Sequence, residues 1–188
     1  MSGSSRPPRI ILGLTGGIAC YKVCAVASQL VQDGVVVDVA MTDAAQRFVT
    51  PLTLASLTGR AVFDSQWSFV EDHDPQHIHL AREADAMLIA PCTMDMLAKL
   101  STGRTDDPVS LLASAIDRQT TPVILAPSMN ATMLQQPATE RNVAQLTADG
   151  FTILEPAEGW QACRTSGKGR MPEPECLLEA IRKTLKSR

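Results

Sequence analysis

RIILGLTGGIAC, residues 9–20, decides the fold. The apolar run from Arg9 to Thr15 reads as a strand buried on both faces, and Gly16-Gly17 as the turn that ends it. From Ile18 to Asp33 the apolar residues Val23, Val26, Ala27, Leu30 and Val31 recur at helical spacing, and Gly34 stops the helix. The same alternation continues downstream. VVVDVAMT (35–42), DAMLIAP (85–91), TPVILAP (121–127) and FTIL (151–154) read as further strands. Helices are expected around 51–58, 94–101, 108–116, 131–148 and 175–186. Strands alternating with helices imply crossover connections and a doubly wound parallel sheet covered on both faces, a single-domain α/β fold over residues 9–188. No internal repeat or linker divides it, and residues 1–8 read as a disordered lead-in.

Composition narrows the function classes. A chain of 188 residues suits one domain, at roughly 150 residues each. The net charge of −3 leaves no electrostatic footprint for nucleic acid. No run approaches the ~18 apolar residues of a membrane span, and MSGSSRPPR has no apolar signal core. Five cysteines without a signal peptide are expected to be reduced thiols in a cytoplasm. Cys20 and Cys24 share a helix face, but nothing completes a metal site there, so both are expected as small core side chains.

The chemistry concentrates where the strands end, because ligands of doubly wound sheets sit beyond the carboxyl ends. Those ends read Thr15-Gly16-Gly17, Met41-Thr42, Ala90-Pro91-Cys92-Thr93 and Ala126-Pro127-Ser128-Met129-Asn130, small or hydroxyl-rich and suited to a flat cofactor. Gly16-Gly17-Ile18 departs from G-x-G-x-x-G, which favours a mononucleotide phosphate over a dinucleotide. His77 in HIHLAREAD is a candidate acid-base group, and its spacing from His73 and His79 fits no single helix face for zinc. Asn130 is either the N-cap of the following helix or a neutral group that holds a carboxylate. Asp106 and Asp107 before Pro108 read as a helix start with Asp107 as cap rather than as a catalytic carboxylate pair. Cys163 stands in PAEGWQACRTSGKGRMPEP (156–174), whose glycines and prolines suit a mobile loop and whose Arg164, Lys168 and Arg170 are expected to favour the thiolate.

These segments together resemble the homo-oligomeric flavin-containing cysteine decarboxylases. The resemblance runs from about Arg9 to Leu185 and rests on six segments in order: GLTGGIACYK (13–22), AMTDAAQRFVTP (40–51), HIHLAREAD (77–85), APCTMDMLAKLSTG (90–103), APSMNATM (126–133) and ACRTSGKGRM (162–171). It implies a flavodoxin-like (Rossmann-like) fold with FMN as cofactor. The FMN phosphate would lie against Gly16, Gly17, Ile18 and Thr42, with Thr93, Met94, Asp95, Met96 and Ser128 bordering the ring. It further implies a homotrimer, in some members assembled to a dodecamer, with the flavin near a subunit interface and a histidine serving the neighbour's site. His77 matches the family's base, Asn130 the holder of the substrate carboxylate, and Cys163 the proton donor of the last step.

The implied activity is decarboxylation of phosphopantothenoylcysteine to phosphopantetheine in coenzyme A biosynthesis. A cysteine carboxylate has no electron sink; oxidation of the thiol-bearing carbon to a thioaldehyde supplies one, loss of CO2 leaves an enethiolate, and the returned hydride with a proton restores a saturated thiol. Relatives that oxidatively decarboxylate the C-terminal cysteine of peptides release the enethiol and need no such donor. A regulatory subunit without catalysis is the third reading, which the retention of all three side chains disfavours. Two departures stand out: Arg164 where family flaps commonly have glycine, and Asp95 where asparagine is common outside bacterial coenzyme A-pathway members. Those members are often fused to the ligase that makes the substrate; here that ligase is expected on a separate polypeptide.

Overall fold

A computed structural model describes residues 6–67 and 75–186 of the chain. The strand read first, β1 (Arg9–Leu14), is buried from Ile10 onward and lies mid-sheet. It pairs in parallel with β2 (Val36–Met41) on one side and β4 (Ala86–Cys92) on the other. Beyond β4 come β5 (Val123–Pro127) and β6 (Thr152–Ile153), and beyond β2 comes β3 (Val62–Phe63). The order is therefore β3-β2-β1-β4-β5-β6. The five strands expected from sequence stand in the flavodoxin-like succession, and Val62–Phe63 adds a two-residue edge strand. Two residues give no periodic signal, which is why that strand goes unread in the sequence.

Alternation along each strand makes two cores, since successive side chains leave the sheet on opposite faces. Ile10, Leu12 and Leu14 join Leu88 and Ile124 under α1 (Cys20–Gln32), α2 (Pro51–Thr58) and α8 (Pro174–Lys186). Ile11, Met87, Ile89 and Leu125 face α3 (Gln76–Glu83), α4 (Met94–Thr102), α5 (Pro108–Ala115) and α7 (Pro137–Ala148). Burying one such aliphatic side chain stabilises by about 1.5–3 kcal/mol. Asp38 breaks the apolar run of β2, and a buried charge needs partners. It has them: Arg9 Nε donates to one carboxylate oxygen at 2.5 Å and Arg60 Nε to the other at 2.7 Å.

Local signals set most boundaries. Asp107 caps α5 by accepting from the backbone N–H of Val109 (3.0 Å) and Ser110 (2.9 Å), with Pro108 in the first turn, as the sequence indicated. Two expectations need correction. The helix expected over 131–148 is divided into α6 (Ala131–Leu134) and α7, because Pro137 cannot donate a helical hydrogen bond and restricts Gln136 before it. The segment expected as a loop is an antiparallel hairpin, β7 (Ala157–Trp160) with β8 (Ser166–Arg170). Of the expected lead-in, residues 1–5 lie outside the described residues, and the Arg6 guanidinium donates to both Asp85 oxygens.

The hairpin docks where β5 ends. The Met129 N–H donates to the Gly169 carbonyl at 2.9 Å, and a Cβ on Gly169 would stand 2.3 Å from the Met129 oxygen. Its φ of +140° is a second reason for glycine. We expect Gly169→Ala to destabilise the protein by about 2 kcal/mol in chemical denaturation. Amide exchange at Met129 would accelerate; unchanged exchange there would mean that the contact does not hold the hairpin.

Candidate active site

The sheet order reverses at β1, so the crossovers after β1 and β4 leave towards opposite sides and a crevice opens between their carboxyl ends. It has two lobes, of about 570 Å³ and about 480 Å³, which meet at Gly16 and Thr93. Both are of the size of small-molecule sites, about 300–1,000 Å³.

Hydroxyls and the glycine turn build the first lobe. The Thr15 hydroxyl donates to the Pro91 carbonyl at 2.6 Å and accepts from the Thr93 N–H at 3.1 Å, tying the end of β1 to that of β4. Thr93 in turn caps α4, and Thr42 accepts from the Ala45 N–H at 3.2 Å. Gly16 is required by its own chain: a Cβ there would lie 2.5 Å from that of Ala44. Asp95, Met96 and Lys99 complete this side with Asp106 and Asp107. Lys99 reaches Asp107 at 2.9 Å, Asp106 at 3.0 Å and Asp95 at 3.4 Å. Burial alone would lower the Lys99 pKa, but its bonds to Asp107 and Asp106 raise it above the ordinary lysine value.

The second lobe holds Gly16, Gly17, Ile18, Ser128, Asn130 and Cys163. Of the two alternatives left open by the sequence, the structure shows Asn130 as the N-cap. Its Oδ1 caps α6 by accepting from the Thr132 N–H at 2.7 Å, which leaves the amide nitrogen to donate to Cys163 Sγ at 3.3 Å. Cys163 is also 3.0 Å from the Thr165 hydroxyl. Gln161, buried and absent from the sequence reading, organises this corner. Its Oε1 accepts from the Ala131 N–H at 3.3 Å and its Nε2 donates to the Lys168 carbonyl at 3.3 Å. Nothing in the local pattern distinguishes Gln161 from a solvated hairpin residue.

The thiol environment differs from expectation in cause. The Cys163 pKa is lowered, chiefly by the bond to Thr165 and then by that to Asn130. Arg164, Lys168 and Arg170 are not among the causes of that shift; Lys168 pairs with Glu155 and Arg170 with Glu173. These hydrogen bonds favour the thiolate, so the proton leaves at lower pH than from an ordinary thiol. Iodoacetamide alkylation of Cys163 is therefore expected to reach half its limiting rate below the usual thiol pKa. In Thr165→Ala the midpoint rises; an unmoved midpoint would remove the hydroxyl as the cause.

Of the other thiols, Cys20 and Cys92 are buried, Cys24 is half-buried and Cys176 is exposed. Cys20 is buried, donates to the Thr15 carbonyl at 3.1 Å and has its pKa pushed up to about 11 by burial. Among the described residues no group of three or more histidine, cysteine or carboxylate side chains is placed to hold a metal, and His73 lies outside them.

The family described as Flavoprotein matches residues 1–186. The chain belongs to the flavoprotein family. This flavoprotein is 40% identical over 174 residues to the coenzyme A biosynthesis bifunctional protein CoaBC of Bacillus subtilis and 42% identical over 170 residues to that of Vibrio parahaemolyticus. Those alignments cover 93% and 90% of the chain but only 42% of each relative. Among solved structures, a PPC decarboxylase mutant complexed with pantothenoylaminoethenethiol superposes with a TM-score of 0.85 at 28% identity, covering 96% of this chain and 100% of the other. The FMN-dependent cysteine decarboxylase SpaF gives 0.81 at 29% identity, covering 96% of each chain.

Two of the flavoprotein's expected site residues border neither lobe. Met94 opens α4, is half-buried and lines neither lobe. His77 lies in the first turn of α3, half-buried, and lines neither lobe of its own chain. No helix among the described residues is long and apolar enough to cross a membrane.

Proposed function

We propose that this flavoprotein uses FMN to decarboxylate phosphopantothenoylcysteine to phosphopantetheine in coenzyme A biosynthesis. The contact between Asn130 and Cys163, at the wall of a cavity that joins the threonine-lined lobe, carries this reading. The residues present suit FMN. α1 begins after Ala19, which offers no side-chain cap, and has no acidic residue in its first turn, so its N–H groups suit a phosphate. Gly16, Gly17, Ile18 and Thr42 would hold that phosphate, while Thr93, Asp95, Met96 and Ser128 would border the ring. Bound there, FMN supplies reversible two-electron oxidation of the carbon that carries the substrate thiol, which gives the carboxylate its electron sink.

The chain's own groups do the rest. The Asn130 amide, oriented by its cap, donates to the substrate carboxylate without adding a charge that would hold CO2 back. Cys163 delivers the proton that completes the saturated thiol, a task helped by a stabilised thiolate. The hairpin over the second lobe excludes water from the enethiolate.

His77 acts as the base in a neighbouring copy's cleft, and the assembly is a trimer or a higher multiple of it. Exposed apolar side chains support this: Leu52 is 75% and Trp67 86% exposed, and Ile18, Tyr21 and Trp160 stand exposed at the rim of the second lobe. The partners are thus a small anionic thiol and further copies of the chain, in a cytoplasm.

The test is the visible spectrum of the purified protein, followed by incubation with phosphopantothenoylcysteine and product mass. A yellow protein that removes CO2 alone supports the proposal. Loss of CO2 with two hydrogens would point to oxidative peptidyl-cysteine chemistry. A protein that cannot be loaded with FMN would overturn both and leave a non-catalytic role.

A further inference from the structure

Lys22 of α1 and Arg170 of β8 both line the lobe that contains Asn130 and Cys163, and one carboxylate holds them together. Lys22 Nζ donates to Glu173 Oε2 and Arg170 Nη2 to Glu173 Oε1, each at 2.6 Å. The cations are largely withdrawn from solvent, with side chains 15% and 33% exposed, whereas Glu173 is 47% exposed and lines neither lobe. The carboxylate pKa is lowered, first by the Lys22 bond. Two positive charges face one negative, so the cavity wall keeps a net positive charge.

A carboxylate bridging two cations from different elements has the arrangement of an anion bound in a seat, here with the chain's own side chain as the anion. We infer that Glu173 is a placeholder for the phosphate of the ligand. In the ligand-free protein it occupies the Lys22–Arg170 pair, and the phosphate of the substrate class proposed above, on which this inference rests, displaces it. A phosphate monoester carries about −1.5 to −2 charge at neutral pH and three acceptor oxygens, enough to engage both cations better than a single carboxylate. A neutral end group gains nothing by the exchange and leaves Glu173 in place. Glu173 therefore sets specificity: the cation pair is shielded from weak anions and opens only to a doubly charged one. Because Arg170 belongs to the hairpin and Lys22 to α1, the exchange would also transfer the tie between those elements from Glu173 to the ligand.

The experiment is calorimetric titration of the holoprotein with phosphopantetheine, and with pantetheine as the same molecule without phosphate. Glu173→Gln is expected to bind phosphopantetheine about tenfold more tightly than wild type and pantetheine equally. Lys22→Gln, which is independent of whether the first variant folds, is expected to weaken phosphopantetheine about tenfold and leave pantetheine unchanged. Weaker or unchanged phosphopantetheine binding by Glu173→Gln overturns the inference, because Glu173 would then position the cations rather than compete for them. Equal effects on both ligands in either variant overturn it too, since the phosphate would have no share. The readout requires no turnover, so failure of the decarboxylase reading shows separately, as absence of CO2 release from phosphopantothenoylcysteine.

Discussion

Cys163→Ser is expected to release CO2 from phosphopantothenoylcysteine while accumulating the oxidised enethiol in place of the saturated thiol. In the reaction proposed above, carbon dioxide leaves before the donor is needed, so the first half-reaction would not depend on the thiol. Serine can occupy the same place beside the Asn130 amide and the Thr165 hydroxyl, which lie 3.3 Å and 3.0 Å from Sγ. It cannot act as the acid, because an aliphatic hydroxyl holds its proton far more tightly than a thiol whose thiolate is stabilised by those bonds. Loss of a positioned acid costs typically 10²–10⁴-fold, so formation of saturated product should fall by about that factor. Mass spectrometry separates the products by two hydrogens. Formation of phosphopantetheine at the wild-type rate would remove Cys163 from the acid role.

His77→Asn should abolish both product formation and CO2 release, again by about 10²–10⁴-fold. The more informative result is expected from a mixture. His77 lines neither lobe of its own chain, and on the reading proposed above it serves the cleft of a neighbouring copy. Mixed assemblies of His77→Asn and Cys163→Ser chains would then contain clefts with an intact cysteine from one copy and an intact histidine from the next. For random equal mixing in a closed trimer, about a quarter of all clefts, and about a third of those in mixed assemblies, should regain full turnover. Co-expression with two affinity tags, followed by assay of the doubly tagged fraction, measures this. A mixture that forms no more saturated thiol than the separate variants would place the histidine and cysteine of one cleft on the same chain.

Much of this architecture is legible in the sequence, and the reasons are local. β1, β4 and β5 are apolar runs because both faces of each strand are covered, and such runs stand out in any composition window. Asp107-Pro108 marks a helix start because a capping carboxylate and a fixed proline φ act within one turn. Asn130 is named by its position after β5, although its bonds to Thr132 and Cys163 together could not be chosen from sequence. The segment 156–174, expected as a loop, folds as the hairpin β7–β8. Its glycines indicate a turn-rich segment, but β7 and β8 are made by pairing with each other and by docking of Gly169 on Met129, neither of which a single short strand signals.

The sequence by itself determined the alternation of strands and helices, the parallel sheet and the helix caps, because hydrophobic period and capping act over a few neighbouring residues. Only the tertiary structure decided which side chains meet. Asn130 and Cys163 are 33 residues apart, and Lys22 and Glu173 are 151 apart. Such pairs depend on how the sheet order folds distant strand ends into one crevice, and on the hairpin that closes against it. No local propensity encodes a distance between elements; closure of the whole chain around its two cores does.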